Sequence, residues 1–246
     1  MNFFITGGSR GIGAEIVLQA AREGHCVAFT YHEQAQRAGA VELAAREVAP
    51  GAKVKAYAMD VRDSGSVEQA GDAVLNDFES IDVAVCNAGV NRPNLLVRMS
   101  DEEWDDVLRT NLTGPFYVAR YFLPHMMARR FGRFIMISSL GHSGITGQAN
   151  YCASKSGLHG LASAIAKEYG RRGITANVVV PGVFETDMSR EGLSVTNKEF
   201  WIQYCPLGRL GKLDELSKLI TFLASDGAAF INGQAIPVNG GLDWAP

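Results

Sequence analysis

A tyrosine and a lysine stand four positions apart in the stretch YCASK, at Tyr151 and Lys155. Residues i and i+4 of a helix share one face, one turn apart. A free tyrosine has a pKa of about 10 and exchanges protons poorly near neutrality, whereas a neighbouring ammonium group stabilises the phenolate. The spacing is therefore compatible with a proton-donating pair, but an ordinary helix surface would account for it equally well.

A glycine-rich stretch, TGGSRGIG, spans residues 6–13 and follows the first apolar run. Gly7, Gly11 and Gly13 allow a tight turn and a close backbone approach, and the helix that follows would aim its first amides at a diphosphate. Any strand-to-helix turn can be rich in glycine. The position directly after the first predicted strand of a βαβ series nevertheless favours a dinucleotide-binding loop.

The end of the second apolar run bears on the choice of cofactor. Enzymes that bind NAD usually offer a carboxylate to the ribose hydroxyls there, whereas NADP requires a cation for its 2′-phosphate. The run ends in Thr30, Tyr31 and His32, Glu33 comes one or two places late, and Arg10 lies inside the glycine loop. This pattern favours NADP(H), and Glu33 is the argument for NAD.

Seven apolar runs rich in β-branched residues recur along the chain, with helical stretches between them. The runs are nearly continuous rather than alternating, which is typical of strands covered on both faces in a parallel sheet. We therefore predict an α/β fold: a single doubly wound Rossmann-type domain, residues 1–246, with a parallel seven-stranded sheet. The runs lie at 2–6, 26–31, 53–59, 81–87, 133–138, 174–181 and 234–238.

Three signals predict where helices begin and end. Ser100 and Glu103 form a capping box that opens a helix. Gly132 is predicted to end the helix containing HMMARR, and Gly173 the helix containing YCASK.

Composition excludes several classes of protein. The 246 residues are 47% hydrophobic with a formal net charge of −3, so no basic excess indicates nucleic-acid binding. No run of about 18 apolar residues indicates a membrane span, and the N-terminus lacks the features of a signal peptide, so we expect a cytoplasmic protein. The four scattered cysteines predict neither a metal site nor disulfides. Cys152, beside Tyr151, could be a nucleophile, but no basic residue adjoins it.

With TGGSRGIG, NAG at 87–89, Asn111, a serine at 138 or 139 and YCASK in this order, the sequence resembles the short-chain dehydrogenase/reductase family. Segments 89–114, 181–188 and 206–211 are most similar to its 3-oxoacyl-[acyl-carrier-protein] reductases. The resemblance implies an NADPH-dependent reductase of fatty-acid or polyketide-type synthesis that acts on a 3-oxoacyl chain held by acyl carrier protein, and a homotetramer. The alternatives are a reductase or dehydrogenase of a free small carbonyl or alcohol (steroid, sugar or quinone-like) and, more remotely, a non-catalytic cofactor-binding protein.

The resemblance also implies catalytic roles. Tyr151 would protonate the carbonyl oxygen, Lys155 would lower the pKa of Tyr151 and hold the nicotinamide ribose, and Asn111 would anchor a water that resupplies the proton. A serine would polarise the carbonyl. The family's usual spacing, thirteen positions before the tyrosine, selects Ser138, whereas counting forward from Asn111 selects Ser139 and makes the following loop one residue short. Both serines remain candidates.

The residues implied to hold the cofactor come from several segments. They are Gly7, Ser9, Arg10, Gly11, Ile12, Gly13, Tyr31, Asp60, Val61, Asn87, Ala88, Gly89, Tyr151, Lys155, Pro181, Gly182 and Thr186.

Three further features have two interpretations each. Residues 186–205, with Phe200 and Trp201 as apolar anchors, form either a substrate lid or a surface helix pair. His142 either contacts substrate or is solvated. Arginines at two predicted helix ends either dock the carrier protein or simply complement the helix dipoles; they are Arg129, Arg130, Arg171 and Arg172.

Overall fold

The computed structural model describes residues 1–185 and 195–242. In this part of the chain, seven strands form one parallel sheet in the order β3-β2-β1-β4-β5-β6-β7. All seven apolar runs correspond to strands, with bounds that differ by at most two residues. The strands are β1 (Asn2–Ile5), β2 (Cys26–Tyr31), β3 (Val54–Ala58), β4 (Val83–Cys86), β5 (Gly132–Ile137), β6 (Ile174–Pro181) and β7 (Ala235–Val238).

Helices connect successive strands and cover both faces of the sheet. Among the described residues, no helix is both long and apolar enough to cross a membrane. A π-helical turn, Arg109–Thr113, joins the fourth and fifth helices. The helices are α1 (Gly11–Arg22), α2 (Ala35–Val48), α3 (Ser64–Phe78), α4 (Asp101–Leu108), α5 (Gly114–Arg129), α6 (Ala149–Tyr169), α7 (Val195–Tyr204) and α8 (Leu213–Ala224).

The continuous apolar runs reflect burial on both faces. Every residue of β4, β5 and β6 is buried. Because successive side chains of a strand point to opposite faces, Phe3 and Ile5 of β1 enter the core on one side of the sheet and Phe4 enters the core on the other. The parallel α/β fold is confirmed.

The order of the strands reverses between β1 and β4. The chain runs outward from β1 to β3 and then returns to place β4 on the other side of β1. The ends of these two strands are tied together, since the Thr6 hydroxyl oxygen accepts hydrogen bonds from the amides of Asn87 and Ala88, both 3.0 Å long. In open α/β sheets, ligands bind in the crevice outside the carboxyl ends of strands at such a reversal.

The helix-boundary signals have different outcomes. Ser100 and Glu103 do form a reciprocal capping box at the start of α4. The prediction for Gly132 is wrong, because α5 already ends at Arg129, Arg130 adopts the left-handed conformation (φ 53°) and Gly132 begins β5. Gly173 is left-handed (φ 77°) but caps a 3₁₀ turn, Gly170–Arg172, that follows the end of α6 at Tyr169.

Candidate active site

A cavity of about 420 Å³ opens at the carboxyl ends of β1 and β4. It contains most of the residues predicted to bind a cofactor. Pro181 and Gly182 are not part of its lining, and Thr186 lies outside the described residues. The predicted residues that line it are Gly7, Ser9, Arg10, Gly11, Ile12, Gly13, Tyr31, Asp60, Val61, Asn87, Ala88, Gly89, Ser138, Tyr151 and Lys155.

Gly7 and Gly13 of the glycine loop have no room for a side chain. Gly7 has a φ of +67°, and the Asn87 side-chain amide donates hydrogen bonds of 3.0 Å to the carbonyl oxygens of Thr6 and Gly7. A Cβ on Gly13 would lie 2.1 Å from the Gly7 carbonyl oxygen. The loop therefore presents bare backbone to the cavity beside the start of α1, which suits the diphosphate of a dinucleotide.

β2 ends at Tyr31, so its last residue offers no carboxylate. The His32 ring is half exposed and lies 3.6 Å from an Asp60 carboxylate oxygen and 3.7 Å from Glu33, whose side chain is 78% exposed. Hydrogen bonds from Arg62 lower the pKa of Asp60. Arg10 is exposed in extended backbone just before α1.

A charged bridge at the cavity was not predicted from the sequence. Arg62 and Arg92 each form an ion pair with Asp106 of α4, at 2.9 and 3.1 Å, and all three residues line the cavity. The only available signal was the position of Arg62 just after β3, at the crevice edge. Its pairing with Asp106, 44 positions later, depends on how α4 packs.

Tyr151 and Lys155 lie on one face of α6, so the predicted helical arrangement of YCASK is confirmed. The Lys155 Nζ lies 5.6 Å from the centre of the Tyr151 ring. Lys155 is 4% exposed, and its Nζ donates a hydrogen bond of 2.8 Å to the Ile137 carbonyl oxygen at the end of β5. The ammonium group is therefore held in place by backbone at the edge of the cavity.

Burial shifts the pKa values of this pair in opposite directions. Burial lowers the pKa of Lys155 to about 8. Burial also raises the pKa of Tyr151, while a hydrogen bond with Ser139 partly counteracts that shift. In the chain by itself, the pKa of Tyr151 is therefore raised rather than lowered as the resemblance implied, because desolvation of the phenolate dominates.

The buried ammonium predicts a specific pH dependence of stability. The pKa of Lys155 is about 10.5 unfolded and about 8 folded, so between these values the unfolded chain holds the proton and the folded chain does not. Raising the pH there favours folding. We expect the unfolding free energy of the cofactor-free protein, relative to Lys155→Met, to increase by about 2 kcal/mol between pH 7 and 9.5. Denaturant titrations of both proteins measure it, and a pH-independent difference would contradict the lowered pKa.

The two serines at the end of β5 point in different directions. The Ser138 hydroxyl is buried and donates a hydrogen bond of 3.0 Å to the Lys155 carbonyl oxygen. The Ser139 hydroxyl oxygen accepts a hydrogen bond of 3.2 Å from the Gly141 amide, and the same hydroxyl bonds with Tyr151. Ser139 therefore lies beside the tyrosine while Ser138 bonds to the backbone of α6, and which of the two polarises a carbonyl stays a prediction.

Asn111 lies in the π-helical turn and is 1% exposed. Its side-chain oxygen accepts from the Val90 amide at 2.8 Å, and its nitrogen donates to the Val90 carbonyl at 2.9 Å and to the Ser154 hydroxyl at 3.1 Å. Asn111 thus joins the segment after β4 to α6, next to Lys155. Its predicted role in anchoring a water stays a prediction.

The arginines predicted to dock a carrier protein lie near the amino ends of the strands, whereas Tyr151 lies near their carboxyl ends. They stand beside the starts of β5 and β6. The length of α6, about 30 Å, separates Arg171 and Arg172 from the tyrosine. Arg129 forms an ion pair of 2.7 Å with Asp82, and Arg130 donates to the Arg171 carbonyl. A protein bound there would face away from the tyrosine of the same chain.

The described part of the predicted lid begins with α7. Trp201 packs against a small cluster of Leu140, Cys205 and Leu242, which connects α7 to the residue that follows Ser139. Residues 186–194 lie outside the described part.

Two residues near Tyr151 have structural contacts. The Cys152 sulfur accepts a hydrogen bond of 3.2 Å from the Ile145 amide. His142 does not line the cavity, is partly exposed and stacks on the ring of His159, and contact with substrate stays a prediction.

Comparisons with known proteins found similar sequences over nearly the whole chain. A family model described as enoyl-(acyl carrier protein) reductase matches residues 7–243. The 3-oxoacyl-[acyl-carrier-protein] reductase FabG of Haemophilus influenzae is 43% identical over 97% of this chain and 96% of its own, and that of Escherichia coli is 41% identical over 98% and 99%.

Two solved structures have the same fold. Levodione reductase superposes with a TM-score of 0.94 at 31% identity, covering 98% of this chain and 96% of its own. A variant of a short-chain dehydrogenase/reductase from Serratia marcescens gives 0.90 at 34% identity, covering 98% and 97%.

Proposed function

This chain belongs to the short-chain dehydrogenase/reductase family, and from that premise we propose that it uses NADPH to reduce a 3-oxoacyl group on acyl carrier protein to the 3-hydroxyacyl form. The observation that carries the proposal is the hydrogen-bonded pair of hydroxyls, Ser139 and Tyr151, beside the buried ammonium group of Lys155. The FabG relatives, similar over nearly their whole length, support the choice of substrate.

Each side chain has a distinct part in carbonyl reduction. The Gly141 amide donates to the Ser139 hydroxyl oxygen, so Ser139 donates its own hydrogen to Tyr151 in the chain alone and would donate it to the carbonyl oxygen of a bound substrate. Tyr151 then donates its proton to that oxygen as a general acid. The Lys155 ammonium stabilises the phenolate that remains. A nicotinamide dinucleotide held in the cavity would supply the hydride for the carbonyl carbon.

The cavity suits NADPH better than NADH. The glycine loop and the start of α1 would hold the diphosphate. Arg10 and His32 would meet the 2′-phosphate, since the residue at the end of β2 is Tyr31 and not a carboxylate. Asp60 and Val61 would line the adenine.

This assignment predicts that Tyr31→Asp reverses the cofactor preference. A carboxylate at this position would bind ribose hydroxyls and repel a 2′-phosphate, so the ratio of kcat/KM for NADPH over NADH should fall by about tenfold to a hundredfold. Glu33→Gln is the control, because it removes the carboxylate that argues for NAD. A wild-type preference for NADH that Glu33→Gln weakens would contradict the assignment.

The arginines predicted to dock a carrier protein can do so if a second copy of the chain places its Tyr151 near them, as a homotetramer could. Arg172 is exposed, and reversing its charge should selectively weaken the binding of an acidic carrier protein. For Arg172→Glu, we expect KM for the carrier-bound substrate to rise by about tenfold, with KM for a free thioester unchanged. Arg46→Glu, also exposed at a helix end, should leave both values unchanged. Equal effects of the two variants, or a monomer in sedimentation, would argue against this docking.

The function itself is tested by following NADPH oxidation with a panel of substrates. The panel contains acetoacetyl carrier protein, an acetoacetyl thioester, a crotonyl thioester and free cyclic ketones. We expect turnover of the two acetoacetyl substrates, with the carrier-bound one preferred. Preference for free ketones would favour the alternative that the likeness to levodione reductase suggests. Turnover of the crotonyl thioester alone would indicate an enoyl reductase, and no turnover a non-catalytic protein.

A further inference from the structure

The loop between Ser139 and the start of α6 is held by hydrogen bonds of its own backbone, including one of 3.0 Å from the His142 amide to the Ser139 carbonyl oxygen. Tyr151 follows Ser139 by twelve positions, not thirteen. The loop begins with a 3₁₀ turn, Leu140–Ser143, and the last residue of the turn, Ser143, and the next residue, Gly144, are exposed. Because the position of the Ser139 hydroxyl depends on this turn, a contact that fixes the turn against α6 also helps to fix that hydroxyl.

Two histidines provide that contact. The ring centres of His142, in the turn, and His159, in α6, are 4.6 Å apart and the rings are inclined by 23°. The Ser156 hydroxyl of α6 also donates a hydrogen bond to the His142 carbonyl oxygen. His159 is on the same face of α6 as Tyr151 and Lys155, since it follows them by eight and four positions.

Each histidine also contacts one of the two serines. The His142 Nδ1 lies 2.8 Å from the Ser139 carbonyl oxygen. A carbonyl oxygen only accepts hydrogen bonds, so Nδ1 of His142 must carry a proton. The His159 Nε2 lies 3.3 Å from the Ser138 hydroxyl oxygen, whose own hydrogen is given to the Lys155 carbonyl. Nε2 of His159 must therefore carry a proton as well.

We propose that the stacked pair of His142 and His159 is a positioning device that holds the Ser139 hydroxyl against Tyr151 for carbonyl reduction. The proposal rests on the proposed function. His142 fixes the carbonyl of Ser139, and His159 fixes the hydroxyl of the preceding residue, so the backbone is held on both sides of the Ser139 side chain. The pair offsets the missing loop residue without contacting substrate or cofactor.

The test separates positioning from general stability with matched substitutions. His142→Asn keeps an N–H close to the place of Nδ1, and His142→Leu removes it. His159→Gln keeps an N–H near Nε2 without the ring, and His159→Phe keeps a ring without the N–H. For each protein, kcat and KM for the acetoacetyl thioester, NADPH affinity by fluorescence titration and Tm are measured.

For His142→Leu we expect kcat to fall by about tenfold to a hundredfold, while NADPH affinity changes by less than about twofold. His142→Asn should recover most of the loss, and His159→Phe and His159→Gln should each lose part of it. A wild-type kcat in His142→Leu would overturn the proposal. An equal loss in His142→Asn and His142→Leu would do the same, as would a kcat loss that only follows a lower NADPH affinity or Tm.

A measurement that does not depend on turnover distinguishes this proposal from the proposed function. Nitrogen-15 NMR of the wild-type protein should show the Nδ1–H form of neutral His142 and the Nε2–H form of neutral His159. The opposite form of His142 would overturn the positioning contact even if the enzyme is active. Absence of thioester turnover with the expected forms would instead count against the proposed substrate, and the variants would then be compared on the carbonyl that the wild type does reduce.

Discussion

Tyr151→Phe is expected to lower kcat for the 3-oxoacyl substrate by at least about a thousandfold while NADPH still binds. The substitution removes only the phenolic hydroxyl and keeps the ring near which the Lys155 ammonium lies. General acids typically contribute a factor of about 10² to 10⁴. The effect should be near the upper end, because the same hydroxyl also bonds with Ser139 and its loss alters the second group that would contact the carbonyl oxygen.

Tyr57→Phe is the matched control for this experiment. Its hydroxyl is hydrogen-bonded to Asp77 of α3 and does not line the cavity. This variant should lose some stability but keep its turnover. Single-turnover kinetics and NADPH fluorescence titration of both variants provide the measurement. A kcat for Tyr151→Phe within about tenfold of the wild type would show that another group donates the proton.

The second large effect is expected for Gly13→Ala, which should abolish tight NADPH binding. The added Cβ would lie 2.1 Å from the Gly7 carbonyl oxygen and 2.5 Å from the Asn87 side-chain nitrogen. The first of these is backbone in the turn itself, so the turn must move. Overpacking of this kind costs about 1–3 kcal/mol of stability, and the displaced loop would no longer fit a diphosphate. We expect the NADPH dissociation constant to increase by more than about tenfold.

Gly39→Ala is the control for the same substitution in an open environment. Gly39 is an exposed residue of α2, and a Cβ there would meet no atom within 4 Å. Replacing glycine by alanine within a helix should stabilise the protein by up to about 1 kcal/mol, with NADPH affinity unchanged. Denaturant titration and fluorescence titration compare the two variants. Wild-type NADPH affinity in Gly13→Ala would mean that the loop does not hold the cofactor.

Local patterns in the sequence were sufficient for the fold and for part of the site. The strand positions follow from continuous apolar runs, which only a sheet covered on both faces needs. The common face of Tyr151 and Lys155 follows from the helical repeat. The glycine loop was predictable because steric exclusion of a Cβ is a property of the turn. The helix end assigned to Gly132 was wrong because Arg130 adopts the left-handed conformation despite its side chain.

The role of His159 had a signal in the local sequence. His159 stands four positions after Lys155 and eight after Tyr151, so the helical repeat already places it on the catalytic face. Its stacking on His142 could not be predicted in this way, because the path of the loop determines which side chain covers α6.

The sequence by itself determined the elements, their order and the face on which each helical side chain lies, because these depend on residues a few positions apart. Only the tertiary structure decided that Ser139 meets Tyr151 while Ser138 turns to the Lys155 carbonyl. The ion pairs of Asp106 and the distance between Tyr151 and the arginines predicted to dock a carrier protein were likewise decided by packing. Adjacent strand residues point to opposite faces, and a loop shortened by one residue makes counts from its two ends disagree. The direction of each side chain is then set by contacts between segments that are distant in the sequence.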